Sequence, residues 1–406
     1  MLSDIVLIGA GQSAAVAART LRRHGFDGRI EIIGAEPDPP YQRPPLSKEY
    51  LESGDPEGLF LLTEPWCAEK DVRLRLGERV SGIDPAAGRV LLASGGSVRA
   101  DAALIATGAR ARTLPGITGE RVHTLRTKHD ADRLREYLRP GARIVVIGAG
   151  FIGSEVASTA RAKGAEVVLL DALETPLRHV LGAEMGEVCA SLHRANGVEL
   201  RPRETVESVT ESSTGIGVLT SGHRWIDADA VVVGTGVELN VDVATASGIE
   251  VNGGIVVDEC GRTSVPSVFA AGDAASRYHP LFGEHIRGEH FDSASRLATA
   301  AANAMLGRHA AAVDPPWFWS DQYGVNLQYT GHAREWDELV IRGSVAELDF
   351  CAFYLVGGVV RAAFAADRGG DVMGAKELIA CGRAVNPAAL RDEDTDLLEL
   401  TMDGAR

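Results

Sequence analysis

Two distant stretches of the chain show the same order of apolar and polar positions. Residues 4–14 are DIVLIGAGQSA, and residues 143–153 are RIVVIGAGFIG. Each begins with a continuous apolar run, which predicts a buried strand, and continues past the glycines into an Ala-containing, helix-compatible segment. The pattern predicts two strand–turn–helix units of the same kind.

A second pair of segments repeats in the same order. Residues 100–110, ADAALIATGAR, match residues 228–238, ADAVVVGTGVE, since both are apolar runs that stop at Thr-Gly. Two features repeated in one order indicate two structurally similar halves. The alternation of strands and helices predicts parallel sheets covered by helices.

The last part of the chain has a different pattern. Residues 347–367 contain two strand-like runs around a Gly-Gly pair, and residues 373–382 are typical of a helix. Earlier, PWFWSDQY (316–323) concentrates aromatic residues in a chain that is only 5% aromatic. On an extended segment Trp317 and Trp319 share one side and Phe318 takes the other. At 406 residues, two or three domains are expected.

Composition excludes several classes of function. The net charge of −15 argues against binding to nucleic acid, which requires a basic surface. No apolar run is long enough to span a membrane, and the N-terminus leads directly into a strand pattern rather than a signal peptide. The five cysteines lack a spacing suited to zinc or an iron–sulfur cluster, so we predict no metal site, inert thiols and a cytoplasmic location.

The glycines of the repeated unit carry a specific chemistry. Each copy has the spacing G-x-G-x-x-[GA] between a strand and a helix, with an acidic residue about 20 residues later. The first glycine makes the turn, the second lets a pyrophosphate approach the backbone, and the third position lets helix and strand pack closely. The residues are Gly9, Gly11, Ala14 and Glu36 in the first copy, and Gly148, Gly150, Gly153 and Asp171 in the second.

Two dinucleotide sites require two ligands. FAD with a nicotinamide coenzyme is the economical pair, because a flavin accepts a hydride from NADH. Asp171 favours NADH, since an acid binds a free ribose 2′-hydroxyl and repels a 2′-phosphate. The following residues, ALETP, provide no arginine for NADPH.

The chain resembles a known family along almost its whole length. The motifs GAGQSA, RPPLSKEYL, ATGARARTLPG, VVIGAGFIGSEVA, TSVPSVFAAGDAA, GEHFDSA and PWFWSDQY are similar to those of FAD-dependent pyridine-nucleotide reductases. Within them, the nearest types are the ferredoxin reductases of bacterial oxygenases, such as the putidaredoxin and biphenyl dioxygenase reductases. The resemblance implies an α/β fold with two Rossmann-like domains and a small α+β C-terminal domain. The implied domains are an FAD domain (1–113 and 244–313), an NAD domain (114–243) and a C-terminal domain (314–406).

The resemblance also implies roles for individual residues. Lys48 and Glu155 would form a catalytic pair at the reactive nitrogen of the flavin. Phe291 stands where most relatives have Trp. The implied FAD-binding residues are Gly9, Gly11, Ser13, Ala14, Glu36, Arg43, Lys48, Val80, Thr107, Gly108, Arg126, Asp273, Glu289, Phe291 and Trp319. The implied NAD-binding residues are Gly148, Gly150, Ile152, Gly153, Glu155, Asp171 and Gly236.

The absence of a cysteine early in the predicted FAD domain indicates the type of electron acceptor. Disulfide reductases and peroxidases of this superfamily carry cysteine early in the FAD domain, whereas residues 37–48 contain none. Electrons are therefore expected to pass from the flavin to an external two-iron two-sulfur ferredoxin, an acidic partner that requires a local basic patch. Candidates for the patch are Arg296, Arg308, Arg342 and Lys376. An NADH oxidase and a binding flavoprotein similar to apoptosis-inducing factor are the alternatives, and a monomer or weak homodimer is expected.

Overall fold

The helices and strands follow the predicted alternation. The structure, a computed structural model, describes residues 2–402. The helices are α1 (Gln12–Arg23), α2 (Glu49–Ser53), α3 (Glu64–Glu69), α4 (Lys128–Arg135), α5 (Phe151–Ala162), α6 (Arg178–Ala195), α7 (Asp242–Ala246), α8 (Phe291–Met305), α9 (Gly369–Cys381) and α10 (Pro387–Arg391), with 3₁₀ turns at Pro44–Ser47 and Glu399–Thr401.

The strands account for the buried apolar runs. They are β1 (Asp4–Ile8), β2 (Arg29–Gly34), β3 (Val72–Leu76), β4 (Val80–Asp84), β5 (Arg89–Leu92), β6 (Ser97–Arg99), β7 (Ala102–Ile105), β8 (Ala109–Ala111), β9 (Val122–His123), β10 (Arg143–Ile147), β11 (Glu166–Asp171), β12 (Glu199–Pro202), β13 (Val206–Glu211), β14 (Ile216–Thr220), β15 (Trp225–Ala228), β16 (Ala230–Val233), β17 (Val237–Leu239), β18 (Ile255–Val257), β19 (Val268–Ala270), β20 (Ala275–His279), β21 (Glu284–Ile286), β22 (Trp317–Gln322), β23 (Val325–Gly331), β24 (Glu338–Ser344), β25 (Asp349–Val356) and β26 (Val359–Ala366).

The chain divides into two compact units. The first comprises the chain up to Gln42, Pro56–Arg110 and Glu238–Pro316. Its centre is a parallel sheet of order β19-β7-β1-β2-β3. The alanines and leucines of α1 and α8 pack in one core with the apolar residues of β1 and β7. Continuous apolar runs therefore mark strands that are buried on both faces.

The second unit comprises Arg43–Asp55, Ala111–Val237 and Trp317–Arg406. It contains a parallel sheet of order β12-β11-β10-β16-β9 and an antiparallel sheet of order β22-β23-β26-β25-β24. The core of the antiparallel sheet includes Phe350, Tyr354 and Phe364, and α9 packs on β23 and β26. The strand–strand–helix pattern predicted for the last part of the chain is present.

The predicted internal repeat is visible in the strand order. In each parallel sheet, the strand before the glycine motif lies between the strand that leads to the acidic residue and the strand that ends at Thr-Gly. β1 pairs with β2 and β7, just as β10 pairs with β11 and β16. A three-stranded antiparallel meander also precedes each Thr-Gly strand, namely β4-β5-β6 and β13-β14-β15. The α/β fold class with two similar halves is confirmed.

Arg342 on β24 is buried, which corrects its proposed place in a docking patch. Its guanidinium donates to the carbonyl oxygens of four residues and lies 3.2 Å from the Asp371 carboxylate. The carbonyls belong to Leu390, Asp392, Glu393 and Thr395. A cation with its donors engaged in this way anchors the chain after α10 and is not exposed to a partner.

Among residues 2–402, no helix is long and apolar enough to cross a membrane.

Candidate functional site

The first glycine loop is shaped for a phosphate group. Gly9 has φ +111°, and a Cβ there would lie 2.2 Å from the carbonyl oxygen of Ala106, so only glycine fits. Gly11 precedes α1 without a side-chain cap, and no atom lies within 4 Å of where its Cβ would be. The first N–H groups of α1 therefore border open space, which suits the pyrophosphate of a dinucleotide.

The second glycine loop has the same construction. A Cβ at Gly148 would lie 2.5 Å from the carbonyl oxygen of Gly234, and one at Gly153 would lie 1.9 Å from that of Gly148. Gly150 precedes α5 without a side-chain cap and faces open space. The third glycine thus permits the close packing of helix and turn, the requirement that the buried Ala14 meets in the first copy.

Each loop region also holds a buried polar atom that the protein leaves without a partner. Within residues 2–402, Gln12 Oε1 at the start of α1 and Thr235 Oγ1 after β16 have no hydrogen-bond partner. The amide nitrogen of Gln12 donates to Ser295 Oγ at 2.8 Å, which fixes the side chain. Since buried polar atoms are normally paired, the Gln12 oxygen fits a hydroxyl donor of a bound dinucleotide, and the Thr235 hydroxyl fits either a hydroxyl or a phosphate oxygen.

The two acidic residues are held by local hydrogen bonds. Asp171, at the end of β11, accepts hydrogen bonds from the backbone N–H groups of Ala149 at 2.6 Å and Leu173 at 2.7 Å. Glu36, two residues after β2, accepts a hydrogen bond from the Tyr41 hydroxyl. A carboxylate offers about four acceptor positions, so Asp171, with two backbone donors, retains capacity for ribose hydroxyls. Asp171 additionally ties its strand to the glycine loop, a contact that the sequence did not reveal.

The preference for NADH is expected to depend on Asp171. Wild-type protein should use NADH in preference to NADPH, and Asp171→Ala combined with Ala172→Arg should change the ratio of kcat/KM values by at least about 100-fold towards NADPH, because charge-assisted hydrogen bonds contribute about 1.5–3 kcal/mol each. Asp171→Asn is the matched control, since it retains an acceptor for a backbone N–H but lacks the charge. Equal use of both coenzymes by wild-type protein would refute this role.

Several predicted FAD residues meet at one edge of the first parallel sheet. Gly9 and Gly11 follow β1, Thr107 and Gly108 follow β7, and Asp273 follows β19. These are the carboxyl ends of neighbouring parallel strands, where α/β sheets bind ligands. The hydroxyl of Thr107 is engaged with the carbonyl oxygen of Asn240 at 2.6 Å, so its side chain is structural in this arrangement.

Other predicted FAD residues occupy different positions. Val80 is the first residue of β4 in the antiparallel meander, four residues after the carboxyl end of the parallel strand β3, and its contact with FAD stays a prediction. Glu289 is paired with Arg287 at 2.9 Å, and Phe291 begins α8. Between them, His290 has its pKa lowered to about 4 by desolvation, opposed by the charge of Asp273, so the imidazole is neutral at pH 7. Ser13 donates to the carbonyl oxygen of Ala294, which joins α1 to α8.

Lys48 and Glu155 form an ion pair within the second unit. Lys48 Nζ lies 2.7 Å from Glu155 Oε2, and the two side chains are 13% and 4% exposed. Lys48 directly follows the 3₁₀ turn Pro44–Ser47, and Glu155 lies in α5 directly after the second glycine loop. The structure thus brings together the two residues predicted to act as a pair, and places one of them on the helix that begins at the coenzyme loop.

Three further polar side chains form a hydrogen-bond network around this ion pair. Glu155 also accepts hydrogen bonds from the hydroxyls of Ser47 and, at 2.7 Å, Ser320. Gln322 donates to Ser320 Oγ at 3.0 Å. Ser320 and Gln322 are the buried polar positions of β22, and they lie on the same face of the strand as the buried Phe318. Sequence analysis missed their role, although two polar residues on the apolar face of a strand were a signal.

Ser320→Ala should destabilise the protein. The change removes a hydroxyl donor from Glu155 Oε1, which is buried, and an unsatisfied buried group costs about 1–3 kcal/mol. The melting temperature should fall accordingly. Asp321→Ala, the exposed neighbour on the same strand, is the control and should stay within about 0.5 kcal/mol of wild type. An unchanged melting temperature for Ser320→Ala would show that Glu155 does not depend on this bond.

Helix α5 is fixed by a second polar chain beside Glu155. His193 Nε2 lies 3.1 Å from Ser154 Oγ, and His193 Nδ1 lies 2.7 Å from the Tyr323 hydroxyl. The Tyr323 N–H donates to Ser158 Oγ at 2.7 Å. Burial lowers the pKa of His193 to about 4, so the ring is neutral at pH 7. These bonds hold the helix that carries Glu155 against the turn between β22 and β23.

The aromatic side chains of β22 lie on opposite faces of the strand, as predicted. Trp317 and Trp319 stack with ring centres 5.3 Å apart, while Phe318 is 8% exposed and packs edge-on against Phe151. One face of the strand therefore belongs to the core and the other presents a pair of indoles. The contact of Trp319 with flavin stays a prediction, as does that of Arg43, whose guanidinium donates to the carbonyl oxygen of Arg126.

The remaining predicted NAD residues lie around the second glycine loop. Ile152 is in the first turn of α5 and is 44% exposed, a high value for an apolar side chain next to the loop. Gly236 follows the Thr-Gly strand β16 with φ +95°, and a Cβ there would meet no atom within 4 Å. Both positions leave room for a ligand over the loop.

Comparison with known proteins gives matches over nearly the whole chain. Residues 3–304 match the family described as pyridine nucleotide-disulphide oxidoreductase, and residues 317–401 match the reductase C-terminal family. Rhodocoxin reductase of Rhodococcus erythropolis is 38% identical and covers 97% of this chain and 93% of its own. The ferredoxin–NAD(+) reductase component of the 3-phenylpropionate/cinnamic acid dioxygenase of Photorhabdus laumondii is 36% identical, over 94% of this chain and 96% of its own.

Solved structures agree with these sequence matches. The reductase in the covalent putidaredoxin reductase–putidaredoxin complex is similar to this chain, with a TM-score of 0.95, 33% identity and 100% of both chains covered. The ferredoxin reductase for the CYP199A2 system of Rhodopseudomonas palustris has a TM-score of 0.93 at 35% identity, over 98% of this chain and 99% of its own. The chain therefore belongs to the pyridine nucleotide-disulphide oxidoreductase family, whose members use FAD and NAD(H).

Proposed function

We propose that this protein is an NADH-dependent ferredoxin reductase, which supplies electrons to a monooxygenase or dioxygenase through a two-iron two-sulfur ferredoxin. The observation that carries the proposal is the Lys48–Glu155 ion pair, which lies beside a second dinucleotide loop in a chain without cysteine at residues 37–48. The relatives named as a dioxygenase ferredoxin–NAD(+) reductase component and as the ferredoxin reductase for the CYP199A2 system support it. Residues 1–113 with 244–313 would bind FAD, 114–243 would bind NADH, and 314–406 would form the C-terminal domain.

In this proposal each parallel sheet binds one coenzyme at its glycine loop. The N–H groups at the start of α1 bind the FAD pyrophosphate, and those at the start of α5 bind the pyrophosphate of NADH. Bound FAD supplies the redox chemistry, since it accepts a hydride and releases electrons singly. The protein residues bind and orient the two coenzymes, and Asp171 selects the coenzyme without a 2′-phosphate.

Lys48 contributes a fixed positive charge. Glu155 accepts hydrogen bonds from Lys48, Ser47 and Ser320, which hold its buried carboxylate in one position. The carboxylate in turn keeps the ammonium group in one position. A preorganised cation stabilises negative charge that develops nearby during a reaction, without reorganisation at that moment.

The four buried cysteines do not offer an alternative route for electrons. Cys67, Cys189, Cys260 and Cys351 are buried, and burial raises their pKa values, to about 12 for Cys189. Such thiols stay protonated at neutral pH and are poor nucleophiles. An external acceptor, rather than a protein disulfide, is therefore expected to receive the electrons.

The ferredoxin is expected to dock on basic side chains of this protein. Because the net charge of the protein is −15, these side chains must form a local basic patch. Arg342 is excluded by its burial. Arg296 is bound to the carboxylates of Asp292 and Asp314, which reduces its value as a free positive charge. Lys376 on α9 and Arg308 after α8 remain candidates, the latter 2.7 Å from His24 Nδ1. The oligomeric state is proposed to be a monomer or a weak homodimer.

A coupled assay tests this function. Purified holoprotein with NADH should reduce cytochrome c rapidly only when a suitable ferredoxin is added, and a panel of oxygenase ferredoxins should show a strong preference. The rate to ferredoxin should fall with added salt, whereas flavin reduction by NADH should change less, because screening acts on charged protein pairs. If no ferredoxin is reduced faster than oxygen, the protein is an oxidase. A preferred ferredoxin without salt dependence would remove only the electrostatic docking.

A further inference from the structure

The fold brings three metal-ligating side chains together in the first unit, away from the glycine loops in sequence. Glu259 and Cys260 lie in the turn between β18 and β19, and His309 lies in the segment after α8. A carboxylate oxygen, the thiol sulfur and an imidazole nitrogen of these residues all lie within 4.8 Å of one another. Cysteine spacing alone predicted no metal site, because His309 is distant in sequence and only the fold makes it a neighbour.

The distance between the two strongest ligands suits a tetrahedral ion. Cys260 Sγ lies 3.5 Å from His309 Nδ1. Zinc bonds of about 2.3 Å to sulfur and about 2.0–2.1 Å to nitrogen, at a tetrahedral angle, separate the two ligand atoms by about 3.5 Å. An ion therefore fits between them without movement of either backbone.

Both segments are held in place before any ion binds. The Asp258 carboxylate accepts hydrogen bonds from the N–H groups of Cys260 at 2.9 Å and Arg262 at 2.8 Å, which fixes the turn. Gly261 has φ +75°, and a Cβ there would lie 3.0 Å from Ala301 of α8. The segment of His309 is joined to this turn by a hydrogen bond of 3.0 Å from the Ala312 N–H to the Glu259 carbonyl oxygen. Preorganised ligands favour binding because little order is lost.

We propose that Glu259, Cys260 and His309 form a site for a zinc-type divalent ion. Sulfur, nitrogen and carboxylate donors in one set select zinc and cobalt over magnesium and calcium, which prefer oxygen alone. Cys260 is fully buried whereas His309 is exposed, so a water molecule completes the coordination from the His309 side. The ion clamps the segment after α8 to the turn before β19, the strand that leads to Asp273.

A simple hydrogen bond is the alternative explanation of the same distance. Burial raises the pKa of Cys260, so without an ion the thiol is protonated and can donate to His309. Metal binding replaces the thiol proton, which passes to solvent.

Cobalt titration of the FAD-containing protein, after removal of metal by a chelator, separates the two explanations. One Co²⁺ per chain should give ligand-field bands at wavelengths longer than those absorbed by oxidised flavin, and Zn²⁺ should abolish them. Cys260→Ser should remove the sulfur-to-cobalt absorption. His309→Asn, at an exposed position, should weaken Co²⁺ binding at least about tenfold while FAD content stays unchanged.

The matched control is Cys381→Ser, which changes the half-exposed cysteine at the end of α9. This variant should titrate like the wild type. Absence of the bands, or identical titrations of wild type, Cys260→Ser and His309→Asn, overturns the site and leaves the hydrogen bond. Loss of the bands in Cys381→Ser also overturns it, because the ion then binds elsewhere.

Discussion

Gly11→Leu should yield a folded, colourless protein, whereas Gly150→Leu should yield a yellow protein that NADH no longer reduces. Both glycines precede a helix in extended backbone, and a Cβ added at either meets no protein atom closer than 4.0 Å. Folding is therefore preserved, and the leucine occupies the space of a pyrophosphate. Loss of two charge-assisted hydrogen bonds, at about 1.5–3 kcal/mol each, lowers coenzyme affinity by at least about 100-fold.

The two variants are controls for each other. Flavin absorbance measures the first loop, and NADH-dependent bleaching of the flavin measures the second. Dithionite should still reduce the flavin of Gly150→Leu. Gly370→Leu places the same side chain in open space in α9, outside both loops, and should change neither signal. If Gly11→Leu retains FAD, the assignment of the first loop fails, and bound FMN in the wild type would contradict it as well.

The second large effect is expected at the buried ion pair. Lys48→Met should slow flavin reduction by NADH on the order of 100-fold, since removal of one preorganised electrostatic partner has that magnitude in other enzymes. It should also cost about 3–5 kcal/mol of stability, because Glu155, at 4% exposure, becomes a buried charge without its cation. NADH affinity should change less. Stopped-flow reduction and melting temperatures measure the two effects.

A double variant separates catalysis from stability. Lys48→Met combined with Glu155→Gln removes the uncompensated charge, and Ser47 and Ser320 can still bond to the new amide. Most of the stability should return while reduction remains slow. Lys163→Met is the control, since this lysine caps α5 and bonds only at the surface to the Glu52 carbonyl oxygen. Reduction at the wild-type rate in Lys48→Met would remove Lys48 from the site.

The parts of the site that depend on local pattern were predictable from the sequence. The requirement for glycine at positions where a Cβ cannot fit, such as Gly9 and Gly153, follows from the strand–turn–helix geometry alone. The alternation at Trp317, Phe318 and Trp319 follows from the period of a strand. Such features are encoded within about a dozen residues and are independent of the remainder of the fold.

The contacts that join distant segments were not predictable. The hydrogen bond from Ser320 to Glu155 requires β22 to lie against α5, and no local pattern specifies that contact. The error at Arg342 had a different cause. Val340 and Arg342 share one face of β24, and Val340 is completely buried. The two-residue period of the strand therefore indicated that Arg342 is buried as well. The prediction of a surface position considered only the charge of the arginine.

The discontinuity of the first sheet has a consequence for synthesis on the ribosome. β19 pairs with β7, and Val268 lies opposite Ala103. At a translation rate of about 5–20 residues per second, β19 is synthesised about 10–30 s after β7. Every strand of the second parallel sheet is synthesised in that interval. During that time the outer edge of β7, an apolar strand, has no partner and is a site for mispairing. The nascent chain therefore completes its second nucleotide-binding sheet before its first.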